Sequence, residues 1–171
     1  MDEFMNIELR LVTEKDGMDV YEMLQEMPLD ENGFQNGANG KTPEEFAVWL
    51  KQSVEMGQGI NLKDWQVPQN NYWLCVDGQP VGFGKLRHRL TEALREMGGH
   101  IGYGIRPSQR GKGYGKLILK LLLEKARELG IDKAWIDCSA VNERSKKVIE
   151  ANGGVLHKQT DLNTYYWVEL K

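Results

Sequence analysis

Cysteine is scarce: Cys75 and Cys138 are the only two in 171 residues, and they form no C-x-x-C pair. A disulfide scaffold and a cysteine-built zinc site are excluded, and both thiols, lying in apolar strand-like runs, read as small buried hydrophobes. Histidine is scarce too. His88, His100 and His157 show none of the short ligand spacings that zinc sites use, so no metal is expected. No apolar run approaches the roughly 18 to 20 residues that a membrane span needs. The first residues, MDEFMNIELR, lack the charged and apolar regions of a signal peptide, so the expected location is cytoplasmic. There is no basic excess: 22 Lys and Arg face 25 acids, for a net charge of −3, which disfavours a nucleic-acid binder held by a general basic field. Internal repeats and low-complexity tracts are also missing.

What is present suits a globular chain. Apolar residues make up 40% and charged residues 27%, enough to bury a core and far from disordered compositions. At 171 residues the expectation is one domain spanning 1–171. The five tryptophans, Trp49, Trp65, Trp73, Trp135 and Trp167, read as anchors of core or pocket walls.

Ile7 to Val12 alternates as a half-buried strand, and a helical pattern runs from Thr13 through Met27. Three Asn-Gly pairs between Asp30 and Lys41 read as a mobile loop. Thr42-Pro43-Glu44-Glu45 is a capping box that starts a helix reaching about Met56. Tyr72 to Val76, the Asp77-Gly78 turn and Val81 to Arg87 form a hairpin, and Thr91 to Met97 a short helix. Then come a strand at His100 to Ile105, a long helix from Gly113 to Leu129 closed by Gly130, and a strand at Ala134 to Cys138. A helix over Asn142 to Ala151 and strands at Val155 to Gln159 and Tyr165 to Leu170 complete the order β-α-α-β-β-β-α-β-α-β-β. The fold class is α+β: one central mixed, mostly antiparallel sheet flanked by helices on both faces.

The chemistry concentrates between His100 and Lys116. A strand stopped by Pro107 leads into Ser108-Gln-Arg-Gly-Lys-Gly-Tyr-Gly115 and an apolar helix. Glycines let backbone N–H groups turn toward a ligand, and the helix N-terminus adds unpaired N–H groups and about half a positive charge, so an anion is the expected guest. A dinucleotide G-x-G-x-x-G is ruled out, because the sixth position from Gly111 is Lys116 and from Gly102 is Pro107. Gly40-Lys41-Thr42 imitates the end of a Walker A loop, but the required first glycine is Gln35.

Arg110-x-x-Gly113-x-Gly115 after a strand and before a helix resembles the GNAT superfamily of acyl-CoA N-acyltransferases. Asn142-Glu-Arg-Ser145, placed after the next strand, extends the match, which is specific from about Ile101 to Gly154. Together with Val67 to Leu74, Gly99 to Pro107 and Glu150 to Gly154, the chain looks like a bacterial subgroup of acetyltransferases with no assigned acceptor. The resemblance implies the GNAT fold, acetyl-CoA as co-substrate and direct acetyl transfer to the amine of a small-molecule or peptide acceptor. No covalent enzyme intermediate, metal, nucleic acid or membrane is implied, and a homodimer is left open.

It also implies roles for residues. Arg110, Gly111, Lys112, Gly113, Tyr114, Gly115 and Lys116 would cradle the CoA pyrophosphate; Tyr103, Gly104 and Ile105 would pair with the pantetheine arm; Asn142 and Ser145 would lie near the thioester half or the nucleotide. A bulge in the family's strand would splay it from the next. Gly102 and Gly104 suit close backbone approach there, or make room under an aromatic. A general base is expected near the start of this strand, at His100, Glu96 or Glu92, although a strand-start His also reads as a hydrogen-bonded structural residue. The sequence departs from the family where many members place a general-acid Tyr, seven residues after the Asn: it has Ile149, which falls on the core stripe. A proton donor would then come from Tyr165 or Tyr166, or from water. Two other classes stand beside the enzyme: a non-catalytic acyl-CoA-binding sensor, and a protein-binding module on the same fold.

Overall fold

The computed structural model describes residues 5–171. Among the described residues nine strands and five α-helices follow in the order β1 (Ile7–Leu11), α1 (Met18–Glu26), β2 (Asp30–Glu31), β3 (Phe34–Gln35), α2 (Pro43–Gly57), β4 (Gln69–Val76), β5 (Gln79–Arg87), α3 (Glu92–Glu96), β6 (Ile101–Ile105), α4 (Tyr114–Glu128), β7 (Lys133–Ser139), α5 (Glu143–Ala151), β8 (Gly154–Gln159) and β9 (Asn163–Glu169). No described helix is long and apolar enough to cross a membrane.

Every strand ladder among the described residues is antiparallel, but the central sheet is divided. One part runs β1-β4-β5-β6, the other β7-β9-β8, and β2 and β3 pair as a separate hairpin. Helices cover both faces because the strands alternate. Along β4, Tyr72, Leu74 and Val76 enter the core under α4, while Trp73 and Cys75 enter the core under α1 and α2. On β6, Ile101 is buried beneath α4 and Tyr103 and Ile105 pack against the same core. Gly102 and Gly104 face the opposite side, where the Phe34 ring lies 3.4 and 3.3 Å from where their Cβ atoms would be. These two glycines therefore make room for an aromatic.

The capping box at α2 forms in full: Thr42 Oγ1 accepts the Glu45 N–H at 3.2 Å, and the Glu45 carboxylate accepts the Thr42 N–H at 2.9 Å. Three local expectations are corrected. Helix α1 begins at Met18 rather than Thr13, because Asp16 accepts both the Thr13 N–H at 2.9 Å and the Trp73 indole N–H at 2.7 Å, holding a turn there. The Asn-Gly segment is an anchored hairpin rather than a loose loop. Asn36, fully buried, donates to the carbonyls of Leu24 at 2.8 Å and Met27 at 3.0 Å, and Asn39 donates to Met27 at 2.9 Å. Trp65 anchors no core, being 70% exposed, whereas Trp73 and Trp135 are buried.

Candidate active site

The division of the sheet starts at one residue. The His100 carbonyl accepts the Arg87 N–H at 2.7 Å and so belongs to β5, while its own N–H donates to the Trp135 carbonyl on β7 at 2.8 Å. Gly99 makes this approach possible. Its φ is +62°, and a Cβ there would lie 2.3 Å from the Trp135 carbonyl oxygen, a clash no side chain could relieve. Beyond this point β6 and β7 share no ladder. Since Arg87 N–H reaches His100 and Arg106 N–H reaches Val81 in an unbroken register, the even-numbered residues of β6 pair with β5. The backbone N–H and C=O groups of Ile101, Tyr103 and Ile105 thus face the gap. The β5–β6 pairing shows no register shift, so the expected bulge is absent, and the splay comes from the chain turning at Gly99 and His100.

The gap is a cleft of about 590 Å³. Eleven of the twelve residues expected to hold acetyl-CoA line it; Lys112 does not, its ammonium donating instead to Gln109 Oε1 at 2.9 Å. At one end stands the first turn of α4. Gly113 caps it at φ +83°, with no side chain to satisfy the helix N–H groups, and a Cβ at Gly111 or Gly113 would meet nothing within 4 Å. The N-terminus of α4 is therefore an uncapped donor set facing open space. Arg110 is differently engaged than expected. Its guanidinium forks onto the Glu31 carboxylate of β2, and Nε donates to the Ile105 carbonyl at 3.1 Å. The loop is tied to α1 as well, where Glu26 accepts from Arg106 at 2.9 Å and from the Ser108 N–H at 2.6 Å, bonds that lower its pKa against the opposing effect of burial.

One wall carries hydroxyls. Tyr103 Oη and Ser145 Oγ lie 2.9 Å apart, joining β6 to α5, and burial pushes the phenol up to about 12, so it is protonated at neutral pH. Asn142 caps α5, its Oδ1 accepting the Ser145 N–H at 3.1 Å. Burial pushes the Cys138 thiol up to about 11, leaving it protonated beside them. Ile149 is fully buried.

The other end was not foreseen from sequence. Lys85, Arg87 and Asp137 line it with Met97 and Gly98. Asp137 accepts the Gly98 N–H at 2.8 Å, and burial raises its pKa against that bond and the nearby Arg87 charge. A charged residue inside the apolar run Ala134 to Cys138, and two cations on one face of β5, were the available signals.

The residues expected as base or acid stand elsewhere. His100 is 6% exposed, does not line the cleft, and its Nδ1 accepts the Trp135 N–H at 2.8 Å; burial and the Arg87 charge push its pKa down to about 4. Glu92 and Glu96 lie exposed on α3. Tyr165 donates to the Glu96 carbonyl at 2.6 Å, and Tyr166 to Glu150 at 2.9 Å. Neither lines the cleft.

The family model described as the acetyltransferase (GNAT) domain matches residues 6–155. No curated protein matches the sequence. Among solved structures, a Salmonella typhimurium protein described as an acetyltransferase, with its cofactor acetyl-CoA, is 16% identical with a TM-score of 0.64 over 96% of this chain and 94% of its own. A ribosomal α-N-protein acetyltransferase in complex with coenzyme A is 17% identical with a TM-score of 0.68 over 96% of both chains. A spermidine N-acetyltransferase chimera that includes the Vibrio cholerae enzyme is 11% identical with a TM-score of 0.63 over 96% of this chain and 95% of its own. At these identities the likeness is one of fold.

Proposed function

The chain belongs to the GNAT family of acetyl-CoA-dependent N-acetyltransferases, and on that premise we propose how its own residues divide the reaction. Acetyl-CoA fits the cleft on two counts: an uncapped helix N-terminus suits a pyrophosphate, and a free strand edge suits the amides of pantetheine. Gly111, Gly113, Tyr114, Gly115 and Lys116 take the pyrophosphate. Tyr103 and Ile105 offer the pantetheine arm the backbone bonds that β7 does not make, and a β6 N–H polarises the thioester carbonyl.

The base follows by elimination among the carboxylates that line the cleft. Glu31 is held by Arg110, which leaves Asp137. It takes a proton from the acceptor ammonium, the neutral amine attacks the thioester carbon, and the C–S bond breaks with its electron pair on sulfur. The thiolate leaves beside the Tyr103–Ser145 hydroxyl pair, which hydrogen-bonds it, and takes up the second proton that the nitrogen loses as the amide forms. Residues 1–171 act as one domain, in the cytoplasm.

The observation that carries this reading is the missing β6–β7 ladder ending on the uncapped α4. It is tested by thiol release from acetyl-CoA with a panel of amines, together with calorimetric titration of CoA. Binding and amine-dependent release are expected. Binding without release from any amine would favour the sensor, which has no use for a carboxylate such as Asp137 in the cleft.

A further inference from the structure

The charges that line the cleft are not evenly answered. Arg110 is forked by Glu31, and Asp137 stands in the field of Arg87, whose Nη1 also donates to the carbonyls of Gly98 at 3.1 Å and Gly99 at 3.2 Å. Lys85 differs. Among the described residues no carboxylate lies within ion-pair distance of it. Its ammonium donates to the Gln35 carbonyl of β3 and lies over the rings of Phe34 at 4.8 Å and Phe83 at 5.5 Å. An ammonium has three donors, and the described hydrogen bonds use one. Burial and the Arg87 charge push it down to about 7, against the pull of Asp30 on β2, so this cation is held without a full partner.

Lys85 pairs across the ladder with Gly102, on the Phe34 face of β6, at the end of the cleft away from the α4 N-terminus and among the residues that line it with Asp137. Lys85, Arg87 and Asp137 line one cleft, so an acceptor whose amine meets Asp137 shares that cleft with both cations.

We propose that Lys85 anchors a carboxylate on the acceptor, so that the substrate class is small molecules bearing an amine and a carboxylate together, free amino acids in the first instance. The proposal rests on the N-acetyltransferase reading and narrows it. The entering carboxylate supplies the ion-pair partner that Lys85 lacks and holds it charged. A polyamine would instead bring a second ammonium against Lys85 and Arg87. A peptide N-terminus has no carboxylate beside its amine, and the β2–β3 hairpin, with Phe34 seated on Gly102 and Gly104, limits the room for a longer chain.

The test compares acceptors that differ only in the carboxylate: an amino acid, its primary amide and the corresponding decarboxylated amine, each assayed by thiol release with the full chain. The acid is expected to be favoured by ~100-fold or more in kcat/KM, as for a site built around a buried polar partner. In Lys85→Met that ratio should fall to within about 3-fold, and Lys85→Arg should restore part of it. Calorimetric binding of acetyl-CoA reports that each variant is folded, and should Lys85→Met fail to fold, the wild-type ratio decides alone. Equal use of acid and amide by the wild type, preference for spermidine, or a Lys85→Met variant that slows acid and amide alike would overturn the assignment of Lys85. Absence of release from every amine sinks the N-acetyltransferase reading as well, so the two failures are distinguishable.

Discussion

His100 and Trp135 are joined twice: the His100 N–H donates to the Trp135 carbonyl at 2.8 Å, and the Trp135 N–H donates to His100 Nδ1 at 2.8 Å. The imidazole takes the position a second backbone carbonyl would hold in a continued ladder. It therefore closes the sheet at the base of the cleft and lets β6 and β7 part beyond it.

A pH dependence follows. His100 has a folded pKa of about 4 against an ordinary 6.5, because burial and Arg87 oppose its charge. The unfolded chain takes up the proton first, so stability is complete above pH 6.5 and is lost as pH falls from 6.5 to 4. The loss is about 3 kcal/mol at ~1.4 kcal/mol per pH unit. Urea unfolding of wild type and His100→Asn across this range checks it: the variant, which keeps an acceptor but does not titrate, should lack this part of the acid loss. A wild type and variant with parallel pH curves would contradict the account.

Gly113 separates folding from binding. At φ +83° any other residue is strained by roughly 1 to 2 kcal/mol, but a Cβ would meet nothing within 4 Å. Gly113→Val should stay folded with a small drop in Tm, while CoA affinity by calorimetry falls ~100-fold or more as the side chain fills the phosphate position. Unchanged affinity would move the pyrophosphate elsewhere.

Glu31 competes with phosphate for Arg110. Both oxygens of Glu31 are engaged by the guanidinium, so a pyrophosphate drawing on that charge must displace a carboxylate already in place. Glu31→Gln is expected to tighten CoA by about 3- to 10-fold, the scale of one partly exposed ion pair, and Arg110→Gln to weaken it. Weakening in both variants would show that the pair serves only to hold the β2–β3 hairpin.

Asp137 is the expected base. Asp137→Asn should lower kcat by ~10² to 10⁴, the usual range for a general base, with acetyl-CoA binding retained. Because burial raises its pKa, the acidic limb of the wild-type kcat/KM profile should lie above the ordinary carboxylate range. Glu96→Gln and Tyr165→Phe should keep the rate within a few-fold, since neither side chain lines the cleft. A rate in Asp137→Asn equal to wild type would return the search to the acceptor itself.

The sequence by itself determined the elements and the phosphate end. Alternation in β1, the capping box at Thr42, and the strand, glycine loop and helix from Ile101 to Glu128 are local patterns, set by side-chain period, caps and turn residues within a few positions of one another. Ile149 read as core for the same reason, since its helical stripe is local. Only the tertiary structure decided the rest. His100 passed as a base by its place at a strand start, yet its role came from Trp135, 35 residues away, through a bond that no local pattern encodes. Arg110 read as a free charge until β2 brought Glu31 to it. Lys85 and Asp137 lie 52 residues apart, on strands in separate sheets, and line one cleft only because β6 and β7 diverge. Local spacing fixes which face a side chain presents; which partner waits there depends on how distant segments close upon one another, and that is set by long-range packing.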